Sequence, residues 1–109
     1  MGRFPRIVRY TEEPPRLCCS GDEDRSTQSL RRPALSRALS AVGDLRVDLT
    51  DLVWADPSLM LDLAMVARRV RKAGGRVVLH GAQPHIARLI ELVGLHRMAG
   101  VLVEQPARA

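Results

Sequence analysis

Between Leu45 and Met65 the chain reads LRVDLTDLVWADPSLMLDLAM: a short alternating segment that stops at Asp56-Pro57-Ser58 and restarts as an apolar helix pattern. Leu45, Val47 and Leu49 alternate with Arg46 and Asp48, which predicts a strand with one apolar face. Leu52-Val53-Trp54 is expected to continue that buried path. Asp56 suits a helix N-cap, because its carboxylate accepts from the exposed N–H groups of the first turn. Pro57 suits the first helical position, where the missing N–H is not needed. The helix is expected to run to Ala73, and Gly74-Gly75 stops it. A functional site, where the chain has one, is expected at this strand-to-helix junction.

The flanking sequence extends the same alternation. Ile7 to Tyr10 and Arg16 to Ser20 read as strands separated by Glu12-Glu13-Pro14-Pro15, since proline cannot donate to a ladder. Gly21 to Asp24 reads as a polar turn, and Ser26 or Thr27 as a helix cap. Leu30, Ala34, Leu35, Ala38, Leu39 and Val42 recur at helical spacing up to Gly43. Pro33 costs about 3 kcal/mol deep in a helix, so this helix is expected to start near Arg31 or Arg32, with Pro33 close to its first position. Arg76 to His80 is a strand, Gly81-Ala82-Gln83 a turn, and Pro84 opens a helix with an Ile86, Leu89, Ile90, Val93 stripe that Gly94 caps. Leu95 to Met98 is a short turn and Val101 to Val103 a last strand. The predicted order is β-β-α-β-α-β-α-β, an α/β chain with a mixed sheet and right-handed crossovers.

With 109 residues, the chain has the length of one domain with a core of its own. Aromatic residues make up only 3%, so that core must be aliphatic. The formal net charge is +5, and Lys72 is the only lysine among 17 basic residues. The arginines are spread along the chain. No aromatic residues interleave with them and no recognition-helix motif is present, which argues against a nucleic-acid binder. Adjacent Cys18 and Cys19 would form a strained bridge and read as reduced thiols of a cytoplasmic protein. No apolar run has membrane-spanning length.

Catalytic chemistry finds little support. Asp48, Asp51 and Asp56 lie near one strand, but alternation and capping explain Asp48 and Asp56, and no nucleophile has an adjacent base. His80 and His85 flank one loop without enough further ligands for a metal. Neither a catalytic residue, a metal nor a cofactor is expected. The helix after Asp56 is more informative. Leu59, Leu63, Val66 and Val70 form its sheet-facing stripe, and Asp62, Arg68, Arg69 and Lys72 its far side. Leu61 and Met65 fall in that polar arc. Beside Arg68 and Arg69 they make either a docking patch with a cationic rim or a surface that a neighbouring helix covers.

The ordered set of motifs resembles the STAS domain family, the fold of bacterial anti-sigma factor antagonists. Leu45 to Leu52 matches its hydrophobic strand, and Ala55-Asp56-Pro57-Ser58-Leu59 stands where the family reads Asp-Ser-Ser/Thr-Gly-Leu. Gly21-Asp22-Glu23-Asp24 with Thr27 is similar to its Gly-Glu-x-Asp-x-x-Thr segment. Lys72 to Leu79 is similar to its helix-to-strand join, and Ala87 to Leu95 to its last helix.

The resemblance implies a domain over residues 7–104 between tails at 1–6 and 105–109. It implies a mixed four- to five-stranded sheet with three to four helices packed mainly on one face. It further implies a cytoplasmic, non-catalytic interaction module that binds an anti-sigma factor kinase and so regulates transcription. Partner contacts are expected at Asp22, Asp24, Asp56, Pro57, Ser58, Leu61, Met65, Arg68 and Arg69. The family's phosphorylated hydroxyl directly follows the signature Asp. Here Pro57 occupies that place, so the usual switch cannot operate there, and Ser58 is either a substitute acceptor or, more in keeping with its position, an ordinary first-turn serine. The rival expectations are a STAS subunit docked on the ATPase of an ABC-type lipid transport complex, and a basic nucleotide or nucleic-acid binder.

Overall fold

The computed structural model describes residues 8–12, 15–23, 28–40 and 43–104. Among these, five strands form one sheet in the order β1-β2-β3-β4-β5: Val8–Glu12, Pro15–Glu23, Leu45–Ala55, Val77–His80 and Val101–Glu104. β1 and β2 are an antiparallel hairpin, and β2 to β5 run parallel. Three α-helices, α1 (Gln28–Leu39), α2 (Pro57–Lys72) and α3 (Pro84–Val93), connect the parallel strands, and a 3-10 turn at Leu95–Arg97 precedes β5. Each crossover steps to the next strand in the same direction. Right-handed crossovers of that kind put every helix on one face of the sheet. α2 accordingly packs between α1 and α3. This is the α/β architecture that the order of elements predicts.

The covered face holds the core. Leu45, Val47 and Leu49 of β3 are fully buried, as are Leu59, Met60 and Leu63 of α2. The other face is half-exposed and mostly polar, with Val78 and Leu102 as apolar members beside Arg46. There Arg46 lies 2.9 Å and His80 Nδ1 3.0 Å from Glu104 Oε1. Cys18 and Cys19 point to opposite faces of β2 as thiols, one half-buried and one buried.

The structure corrects the expected path of β3. Its buried residues are Leu45, Val47, Leu49, then Leu52 and Ala55. The ladder shifts register twice: Cys18 and Ser20 face Asp48 and Asp51, and Gly21 and Asp22 face Leu52 and Trp54. Each shift inserts one extra β3 residue, a β-bulge that advances the side-chain phase. Val53 and Trp54, expected in the core, are therefore 54% and 48% exposed. Asp48 Oδ1 holds the first bulge by accepting from Thr50 N at 3.0 Å and Thr50 Oγ1 at 2.6 Å. Gly81, at φ 77°, approaches Thr50 Oγ1 so closely that no Cβ fits between them. β2 follows the lengthened β3, so Gly21 to Glu23 continue the strand where a polar turn was expected.

Partial burial alone would raise the Asp48 pKa. The two hydrogen bonds from Thr50, with the charges of His80 and Arg16, outweigh it and hold the carboxyl below its ordinary value of 3.8. A carboxyl lowered by folding adds stability that is complete above the unfolded value and lost as pH falls through the folded one. Asp48 is thus expected to titrate below the ordinary aspartate value in an NMR acid titration, and Thr50→Val to raise it. A Thr50→Val protein with an unmoved Asp48 would refute this account of the bulge.

α1 supplies the second correction. It starts at Gln28, so Pro33 lies inside the helix and not at its first position. Proline offers no N–H to the carbonyl four residues back and crowds it, a cost of about 3 kcal/mol. The burial of Arg31, Ala34, Leu35 and Ala38 on the rest of the fold offsets it. The Arg31 side chain is fully buried two residues before Pro33 and binds α2. α1 ends at Leu39, while the expected caps Ser26 and Thr27 and the last stripe residue Val42 lie outside the described residues.

Candidate partner-docking site

β3 ends at Ala55, and Asp56 in extended conformation turns the chain into α2. Its Oδ1 accepts from Ser58 N at 2.8 Å, which satisfies one orphan donor of the helix start. Pro57 is the first residue of α2 and is exposed. Ser58 is half-buried in the first turn, where its Oγ accepts from Arg31 Nη2 at 3.0 Å. Arg31 Nε and Nη2 both lie 2.8 Å from Asp62 Oδ2, one turn further along α2. A fully buried guanidinium from α1 therefore clamps the first two turns of α2 from below. Arg31 is the site residue that sequence reasoning missed. A signal was present: Arg31 shares a helical stripe with the buried Ala34, Leu35 and Ala38.

Above this clamp, α2 turns its remaining side chains outward. Leu61 is 64% and Met65 41% exposed, so no helix among the described residues covers them. Arg68, Arg69, Arg71 and Lys72 are also exposed. The strand end that delivers Asp56 adds the exposed Val53 and Trp54, which sequence reasoning had placed in the core. The bulges are the reason, and the adjacent polar pair Thr50-Asp51 is the signal that marks the first of them. Asp56, Pro57, Ser58, Leu61, Met65, Arg68 and Arg69 thus lie along one helix and its cap. Asp22 is separate from them, in β2 opposite Trp54. Asp24 lies outside the described residues.

The histidines do not converge. His80 binds Glu104 on the open face, and the His85 ring reaches the backbone carbonyl of Val53. Among the described residues no helix is long and apolar enough to cross a membrane.

The family model described as Mlab, STAS domain, matches residues 8–104. The fold is similar to the crystal structure of a proposed anti-sigma factor antagonist from Thermotoga maritima. The TM-score is 0.61 at 11% sequence identity, over 93% of this chain and 85% of that one. At that identity the likeness concerns the fold. No curated protein matches the sequence significantly.

Proposed function

The chain belongs to the Mlab-type STAS domain family, and from that membership we propose that it is a non-catalytic, cytoplasmic interaction module. It resembles an anti-sigma factor antagonist and docks an anti-sigma factor of the serine-kinase kind through the outer face of α2, thereby regulating transcription. The observation that carries the reading is the pair Leu61 and Met65, exposed on a helix whose opposite arc is fully packed. Apolar side chains set among polar neighbours on a monomer are the usual make-up of an interface centre.

Docking of this kind runs without the phospho-switch. Pro57 has no hydroxyl, and the Ser58 hydroxyl is engaged by a buried guanidinium in a half-buried first turn. Incubation with an anti-sigma serine kinase and ATP is expected to leave the mass of the protein unchanged. In a binding titration with the same kinase, Leu61→Glu is expected to weaken the complex about tenfold or more, since it puts a charge at the interface centre. Failure of the wild type to bind the kinase with ADP, with ATP or without nucleotide would sink this reading.

A second reading is a STAS subunit docked on the ATPase of an ABC-type lipid transport complex. Pro57 favours it, because a subunit that stays docked needs no modifiable hydroxyl. Co-purification with an ATP-binding cassette subunit, lost in Leu61→Glu, separates it from the first.

A further inference from the structure

We propose that the partner seated on α2 presents an acidic protein surface with an apolar centre, and that the chain does not pair with itself through this face. The inference rests on the docking reading above. The exposed line of α2 runs Pro57, Leu61, Met65, Arg68 and Lys72, in steps of three or four residues that keep to one side of an α-helix. Its N-terminal half is apolar and its C-terminal half cationic, and Arg69 and Arg71 flank the cationic half on either side.

Nothing on the helix offsets these charges. Asp62 is the only carboxylate of α2, and it is turned inward onto Arg31. Among the described residues no carboxylate pairs with Arg68, Arg69, Arg71 or Lys72. Basic residues in a last turn complement the helix dipole, which accounts for Arg69, Arg71 and Lys72. It does not account for Arg68, which lies before that turn, or for the exposed Leu61 and Met65.

Charge decides between occupants. A second copy would offer these cations four more cations or, turned end for end, the apolar half of its own α2, and in neither case an outward carboxylate of that helix, on chains that each carry a net charge of +5. A helix that lies on a bilayer carries its apolar stripe along its whole length, with the cations beside it. Here the apolar residues fill one half and the cations the other, which fits a protein with an apolar knob next to a carboxylate cluster.

The test titrates the isotope-labelled full chain with two synthetic helical peptides of about 21 residues, long enough to hold helix. Both carry one leucine stripe, flanked by glutamates in the first and lysines in the second. The glutamate peptide is expected to shift the amides of residues 57–72 and the lysine peptide to bind far more weakly. Raising salt from about 50 to about 300 mM, or the double change Arg68→Glu with Arg69→Glu, is expected to weaken the glutamate complex about tenfold or more. Leu61→Ser should weaken it as well.

Equal binding of the two peptides, both weakened by Leu61→Ser, would overturn the acidic partner and leave α2 docking in place. Shifts that map away from α2, or no binding of either peptide, would overturn both. Sedimentation with phosphatidylglycerol vesicles in preference to the glutamate peptide would overturn the protein partner. A concentration-dependent dimer abolished by Leu61→Ser would overturn the exclusion of self-pairing.

Discussion

Replacing Arg31 with methionine is expected to cost about 3 kcal/mol of folding stability, close to the loss seen when one partner of a buried ion pair is removed. The reason lies in what stays behind. Asp62 loses the guanidinium 2.8 Å from its Oδ2, and Ser58 Oγ loses its donor at 3.0 Å. The Asp62 side chain is 23% exposed, so water recovers part of the loss, which keeps the expectation at the lower end of the usual range. Arg31→Lys should rescue it only in part, because an ammonium can replace Nη2 between Asp62 and Ser58 but not the second donor that Nε gives Asp62.

The double variant Arg31→Met with Asp62→Leu should recover much of the stability, since an apolar pair avoids desolvating either charge. Urea denaturation of the four proteins checks the set. A loss under about 1 kcal/mol in Arg31→Met, the scale of an exposed pair, would refute the buried clamp. The same experiment bears on Pro33. The clamp is the α1 contact N-terminal to Pro33 that ties this turn to α2, so its loss should fray the helix there. Backbone carbon chemical shifts of residues 28–32 would show that directly.

Gly75→Ala is expected to cost about 3 kcal/mol, the upper end for overpacking, because the obstacle is backbone and cannot turn aside. A Cβ at Gly75 would meet the carbonyl group of Gly43, with its carbon 2.6 Å away, and Val70 Cγ1 at 3.1 Å. The two segments are already joined on either side of this contact. Gly75 N donates to Val70 O at 2.9 Å, Leu45 N to Arg76 O at 2.8 Å and Arg76 N to Asp44 Oδ1 at 2.9 Å. An added methyl must therefore push β3 and β4 apart where their pairing begins, at Leu45 and Val77.

Gly74 is the control. It has φ 91° and open space around its Cβ position, so Gly74→Ala costs only backbone strain, about 1–2 kcal/mol. A Gly75→Ala protein no less stable than Gly74→Ala would show that the close approach is not rigid.

Much of this molecule is legible in its sequence. The order of strands and helices, the Asp56-Pro57 start of α2, the Gly94 end of α3 and the outward phase of Leu61 and Met65 all follow from signals within one or two turns of chain. Local hydrogen bonding and side-chain period depend on near neighbours, so those features needed nothing more. Three features were decided only in the tertiary structure. Pro33 is inside α1 because the helix packs its buried Arg31, Ala34, Leu35 and Ala38 on elements distant in the chain, and that packing outweighs a local helix penalty. Val53 and Trp54 face solvent because the ladder with β2 takes up two bulges, which no periodicity within β3 alone specifies. Ser58 is clamped in the first turn of α2 because the donor that engages its hydroxyl comes from another helix. In each case the deciding partner is distant in the chain, and its contribution exists only once the helices have packed on the sheet.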